Sequence, residues 1–319
     1  MRFVPNFKGN DFFPHDTHFD FMRFRSICFW ASITAMVASL GLFIVLGLNY
    51  GVDFKGGTLI EIQSKSGRAD VGDLRAKIGA LGLGSPQIQE FGATNDVLIR
   101  IEEQPGGDAG QQQALRKVID AIGDGYVQRR VEVVGPAVSS ELRRTGLIAI
   151  VAAVLAIIAY VWFRFEWQFA VGAVLALTHD VLVTVGVFSL FQLEFDLSIV
   201  AALLTILGYS VNDTVVISDR IRENLRKYKR MDVVELLNRS INETLSRTIL
   251  TSATTIVVLI ALLVLGGSVI RNFTFAMTFG IVIGTYSSIF VAAPILELLG
   301  IKRENIVGPD EKKAAAARG

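Results

Sequence analysis

Leu197-Ser-Ile-Val-Ala-Ala-Leu-Leu-Thr-Ile-Leu-Gly-Tyr-Ser-Val-Asn-Asp213-Thr-Val-Val-Ile-Ser218 is an almost wholly apolar run with one carboxylate set into its second half. A bilayer core needs about 20 apolar residues as helix, and this run is long enough to cross it. Five more stretches of the same kind lie around it: Ser26–Leu48, Thr145–Phe163, Gln168–Leu193, Thr248–Ile270 and Asn272–Leu296. Six such lengths are hard to bury in a soluble domain, so the fold expected is an α-helical polytopic membrane protein with six transmembrane helices. The composition agrees: the 319 residues are 51% hydrophobic and 19% charged, and mean hydropathy is +0.48.

Two function classes weaken at once. A net charge of +1 gives no electrostatic footing for nucleic acid. The single cysteine, Cys28, lies in an apolar run, which excludes an intramolecular disulfide and a cysteine-based metal site. No small-residue cleavage site precedes Tyr50, so the first run reads as a span and not as a cleaved leader.

Basic residues set the orientation. Arg2, Lys8, Arg23 and Arg25 precede the first span, and Arg164 follows the second. Arg220, Arg222, Arg226, Lys227, Lys229, Arg230, Arg239 and Arg247 lie between the fourth and fifth, and the tail adds Lys302, Arg303, Lys312, Lys313 and Arg318. The opposite turns carry only Arg271. Both termini are therefore expected in the cytoplasm. The division expected is a cytoplasmic N-terminal segment over 1–25, a first span over 26–49 and an external domain over 50–144. Spans two to six then occupy 145–299, and a cytoplasmic tail 300–319, loose over Gly308–Gly319.

The external segment predicts one small α+β domain. Thr58–Gln63, Pro86–Gly92, Val97–Glu102 and Val127–Val134 alternate as strands, while Val71–Leu81 and Gln111–Ile122 space their apolar residues as helices. The order β-α-β-β-α-β is the ferredoxin-like pattern, with Gly56–Gly57 read as turn punctuation. No metal cluster, phosphate loop or nucleophile elbow stands out, so no cofactor, no metal and no enzyme activity is expected.

Charge inside an apolar helix costs several kcal/mol when unpaired, which makes it informative. Asp213 lies about 8 Å below the cytoplasmic end of its span. Arg247 sits at the cytoplasmic entrance of span five, so an Asp213–Arg247 pair fits if the two spans are neighbours. Ser210 and Asn212 would supply hydrogen bonds. The group either gains and loses a proton during work or simply holds helices together. His179 and Asp180 lie roughly 17 Å from the cytoplasmic end of span three. They would line a polar pathway or form a helix–helix hydrogen bond, and adjacent helical positions let only one face a given partner squarely. Thr251, Ser252, Thr254 and Thr255 read first as hydroxyls satisfying backbone carbonyls. Gly280, Gly284 and Ser288 have the small-xxx-small spacing of close helix packing. Val233, Val234, Leu236 and Leu237 suggest an amphipathic helix along the cytoplasmic membrane face.

Four segments carry a family likeness: Gly51-Val-Asp-Phe-Lys-Gly-Gly-Thr58, Val134-Gly-Pro136 with Glu141-Leu142, Gly208 through Asn224, and Gly284-Thr-Tyr-Ser-Ser-Ile-Phe290. On these the chain resembles the SecF family of protein-export membrane proteins, within the resistance–nodulation–division superfamily. The resemblance implies half of a twelve-helix unit whose other half is SecD. It implies use of the proton motive force to draw preproteins from the SecYEG channel, with YajC and YidC in the same assembly. The partners would then be SecD, SecYEG, unfolded preprotein, protons and the lipid bilayer, in the bacterial inner membrane with residues 50–144 periplasmic. Asp213 matches the family's intramembrane carboxylate and Arg247 the basic residue implicated with it. Two alternatives stay open: a proton-driven permease for lipids or small molecules, and a non-transporting translocase scaffold.

Overall fold

A computed structural model describes residues 18–91, 93–267 and 269–301. Arg2, Lys8 and the tail, including Gly308–Gly319, lie outside them. In chain order a 3₁₀ turn over Phe21–Phe24 leads into α1 (Arg25–Leu46), β1 (Asn49–Tyr50) and α2 (Val52–Lys55). The external domain follows as β2 (Gly57–Ser64), α3 (Val71–Gly79), β3 (Gln87–Phe91), β4 (Ala93–Ile101), α4 (Gly107–Ile122) and β5 (Tyr126–Val134). The rest is α5 (Pro136–Arg164), α6 (Trp167–Phe191), β6 (Glu194–Phe195), α7 (Leu197–Lys227), α8 (Val233–Leu265), α9 (Arg271–Ser287), a π-helical turn over Ser288–Ala292 and α10 (Ala293–Leu298).

Among the described residues, six helical stretches are long and apolar enough to cross a membrane: Phe21–Leu46, Pro136–Arg164, Trp167–Phe191, Leu197–Lys227, Val233–Leu265 and Arg271–Leu298. Several overrun the apolar cores that announce them. α5 starts at Pro136, a residue whose fixed φ and missing N–H suit the first helical position. α7 and α8 run for 31 and 33 residues, about 46 and 50 Å of helix.

The amphipathic stretch at Val233–Leu237 is therefore no separate helix lying along the membrane. It forms the first turns of α8, continuous with the span. Leu236, Leu237, Ile241 and Leu245 bury against Ile221 and Leu225 of α7 and against Met22 from the N-terminal turn. Protein, not lipid, covers the apolar face. Asn224 Nδ2 bonds Ser240 Oγ at 2.9 Å across this hairpin. The N-terminal segment is stitched to it, with Met22 N donating to Asn238 Oδ1 at 2.9 Å. Arg25 pairs with Glu297 at 3.0 Å, so the start of α1 and the end of α10 share one face of the bundle.

Strand order in the external sheet is β3-β4-β2-β5, and all three pairings are antiparallel. Two-residue periodicity sends Ile60, Ile62, Val97, Ile99 and Ile101 to one face, where Leu74, Ile78, Val118 and Ile122 of α3 and α4 cover them. Leu59 and Leu98 point the other way and pack on Val52 of α2. Gly57 is more than turn punctuation. It opens β2 at φ +115°, and a Cβ there would lie 2.3 Å from the Ile101 carbonyl oxygen. Only glycine lets β2 and β4 meet at that point.

Candidate intramembrane site

α7 and α9 pack in one repeating register. A Cβ on Gly280 would lie 2.2 Å from Ile206 Cδ1, and one on Gly284 would lie 3.0 Å from Ser210 Cβ. Four residues on, Ser288 Oγ and Thr214 Oγ1 are hydrogen-bonded at 3.0 Å. The small residues of α9 and of the π-helical turn that continues it thus face every fourth residue of α7, and the backbones approach closely enough for hydroxyls to bond across the seam.

That seam, with α6 against it, holds Asp180 at 0% exposure. Its Oδ2 accepts from Ser210 Oγ at 2.6 Å and from Ser287 Oγ at 2.8 Å. Its Oδ1 lies 3.0 Å from His179 Nδ1. The adjacent histidine therefore bonds the aspartate itself, although the two side chains leave the helix in different directions. His179 also lies beside the Tyr286 ring, with centroids 5.9 Å apart. The Tyr286 hydroxyl donates to the Cys28 carbonyl at 3.0 Å and is 2.9 Å from Ser32 Oγ on α1. One polar cluster thus links α1, α6, α7 and α9.

Asp213 lies one helical turn beyond Ser210 and is 2% exposed. Its Oδ2 has no hydrogen-bond partner. Arg247 of α8 is close enough to act on it electrostatically, yet the described ion pairs within 4.0 Å include none between them. Thr248, next to Arg247, also buries a hydroxyl without a partner. Buried polar groups in folded proteins are nearly always satisfied, so an orphaned carboxylate oxygen needs an explanation beyond packing. Such an oxygen can take up a proton and give it back.

The other sequence candidates fall elsewhere. Asn212 is exposed on the outer face of α7, away from Asp180. Thr251 and Thr254 donate back to the carbonyls of Arg247 and Leu250 in their own helix at 3.0 and 2.9 Å. Thr255 does the same to the Thr251 carbonyl at 3.0 Å and also lies 3.3 Å from the Tyr209 hydroxyl, while Ser252 instead reaches Thr285 at 2.7 Å.

Sequence reasoning gave no role to Ser287, Tyr286, Asp53 or Glu194. A carboxylate in an apolar helix calls for donors on its neighbours, and that signal points to serines without saying which. Asp53 and Glu194 belong to a junction outside the membrane. There β1 and β6 form a two-residue parallel ladder, Asn49 beside Glu194 and Tyr50 beside Phe195. Gly51 N donates to the Phe195 carbonyl at 2.9 Å. Arg100 of β4 pairs with Glu194 and donates to the Tyr50 carbonyl at 3.2 Å. Burial pushes the Glu194 carboxyl above its ordinary range, and the Arg100 charge pulls it only part of the way back.

Residues 114–302 match the family described as protein export membrane protein SecD/SecF, C-terminal, and residues 41–67 match the SecD/SecF GG motif. The chain belongs to the SecD/SecF family of protein-export membrane proteins. It is 48% identical to the protein translocase subunit SecF of Cereibacter sphaeroides, over 91% of this chain and 92% of that one. It is 41% identical to the SecF of Escherichia coli O157:H7, over 93% of each. A SecDF of Brucella abortus is 43% identical across 92% of this chain, which spans 39% of that longer protein. A crystal structure of SecDF, described as a translocon-associated membrane protein, from a Thermus species superposes with a TM-score of 0.81 at 37% identity. It covers 90% of this chain and 39% of its own. The SecD/SecF match takes in the α7 block carrying Asp213, and the GG-motif match takes in Asp53 and Gly57.

Proposed function

We propose that this chain is the SecF subunit of the Sec translocase. With SecD it uses the proton motive force to assist preprotein movement through SecYEG and release on the periplasmic side. Asp213 is the group that binds and gives up the proton, and Arg247 is its counter-charge. The observation that carries this reading is the buried Asp213 carboxylate with an orphaned oxygen and a nearby but unpaired Arg247. It stands in a chain that belongs to a protein-export family. The SecD partnership is supported by a relative and solved structures that hold both halves in one chain. Six spans, half of a twelve-helix unit, fit that division.

The cytoplasmic face carries both termini and the α7–α8 hairpin, and residues 50–144 face the periplasm of the inner membrane. The energetics suit a bias on a conformational equilibrium. One charge crossing 100 mV gains about 2.3 kcal/mol, enough to shift two states and too little to unfold a domain. His179, Asp180 and Asn212 are assigned no proton step. Asp180 already has its oxygens bonded, and Asn212 faces outward.

The test is preprotein maturation in cells whose only copy carries Asp213→Asn, with expression and SecD association followed in parallel. Loss of export with assembly intact is the expected result. Normal export would make Asp213 a structural residue and leave the scaffold reading in its place.

A further inference from the structure

Asp53 lies in the short α2 outside the membrane, yet its Oδ2 accepts from the backbone N–H of Leu197, the first residue of α7, at 2.9 Å. The helix does not need this bond in order to start. Its own N-cap, Asp196, accepts from Ile199 N at 3.2 Å and from Ser198 Oγ at 2.5 Å. A second carboxylate at a capped helix start does little for helix formation and something else for the molecule. It ties a different segment to the positive end of the helix dipole. The hydrogen bonds that Asn49, Gly51 and Arg100 make to the α6–α7 connection hold the loop over 192–196 instead. Asn49 Nδ2 donates to the Gln192 carbonyl at 3.0 Å, Gly51 N to the Phe195 carbonyl at 2.9 Å, and Arg100 to Glu194. Among these described hydrogen bonds, the one from Leu197 N to Asp53 is the one made to α7 itself.

The neighbouring residue completes the attachment. Phe54 is buried with Ile199, Val200 and Leu203 of α7, and its carbonyl accepts from Arg143 Nη1 at the start of α5. On the other side, α2 passes within two residues into β2, the strand paired on both edges of the external sheet. From Leu197 to Lys227, α7 is one unbroken helix, and Asp213 lies on it. A shift of α7 at Asp213 is therefore a shift at Leu197, because a helix carries displacement along its axis.

We propose that Asp53, seated by Phe54, is the joint through which movement of α7 reaches the external domain. It is a positioning residue, and the inference rests on the proton-driven reading of Asp213 given above. It assigns the Val52–Gly57 stretch of the GG motif a mechanical role: hold the external sheet to the one helix whose buried carboxylate changes state.

The experiment is a double-mutant distance measurement on the full chain, purified with SecD and reconstituted in lipid. Spin labels are placed at Asp124→Cys in the external domain and Val264→Cys at the outer end of α8, in a Cys28→Ser background. Asp213→Asn stands in for the protonated carboxyl. With Asp53 present, Asp213→Asn is expected to shift the distance distribution. With Asp53→Ala that shift is lost, and with Asp53→Asn, whose amide oxygen can still accept, it is kept. Leu197→Pro removes the same bond from the donor side, because proline is tolerated at the first helical position, and it should also abolish the shift. It serves where Asp53→Ala fails to assemble. An equal shift with and without Asp53 overturns the joint and leaves the proton reading standing. No shift in any background overturns both.

Discussion

Ser210 and Ser287 donate to the same oxygen, Asp180 Oδ2, from two different helices. α7 supplies the first and α9 the second, so one carboxylate on α6 pins the pair that flanks it. Asp180 thereby differs from Asp213, whose Oδ2 lacks any donor. The two acids lie on neighbouring helices, one saturated with hydrogen bonds and one starved of them, and the contrast assigns them different work.

Asp180→Ala should destabilise the bundle without abolishing its assembly. Ser210 loses its acceptor, while Ser287 keeps its bond to the Gly284 carbonyl at 3.1 Å. The expected loss is on the order of 2 kcal/mol for the stranded hydroxyl and the lost contacts. Asp180→Asn, which keeps one acceptor oxygen, should cost about half of that. Thermal unfolding in nanodiscs reads both, and unchanged melting of Asp180→Ala would remove the node from the list of stabilising contacts.

Gly280→Ala should be costly for a single methyl. Its Cβ would collide with Ile206, a side chain at 0% exposure with no room to yield. Overpacking of this kind costs about 1–3 kcal/mol. Pairing Gly280→Ala with Ile206→Ala opens the space again, so the double variant should be more stable than the sum of the single losses by about 1 kcal/mol or more. Strict additivity in the melting data would mean that the helices separate instead of clashing.

The Glu194 junction carries a pH dependence with a definite sign. Its carboxyl sits above the ordinary value because burial disfavours the charged form more than Arg100 favours it. A raised folded-state value means a stabilising contribution fully present below the ordinary glutamate range and lost as pH rises through the raised one. Wild type should therefore gain stability relative to Glu194→Gln as pH falls through that window. Unfolding curves of both proteins across acid to neutral pH give the difference directly. A difference that grows with rising pH would reverse the balance of burial and pairing.

Much of the bundle was legible because runs of apolar residues and the bilayer thickness leave few choices. The βαββαβ order of the external domain was legible for a similar reason: two periodicities alternate cleanly between Thr58 and Val134. The α8 hairpin was not. Leu236 and Leu237 mark an apolar face whether lipid or protein covers it, and their cover includes Met22, which the chain brings back from its far end. The same limit applies to Asp180. Its neighbour His179 is visible in the sequence, but Ser287 stands 107 residues away and meets it only through the α6–α9 packing. Asp53 was hidden differently. It sits in a motif whose glycines draw notice, while its partner is a backbone N–H that has no signature in any sequence.

The unbroken course of α7 leaves the chain no slack between Leu197 and Asp213. Each added or missing residue there turns one end of the helix against the other by about 100°. The bond from Leu197 N to Asp53 ties the upper end to α2, and the α9 seam holds the lower. Side chains along the outer face of this segment can be exchanged freely, but its residue count cannot. A one-residue insertion after Leu204 would leave every motif intact and still swing Ser210 and Thr214 out of the seam with α9, turning Asp213 with them.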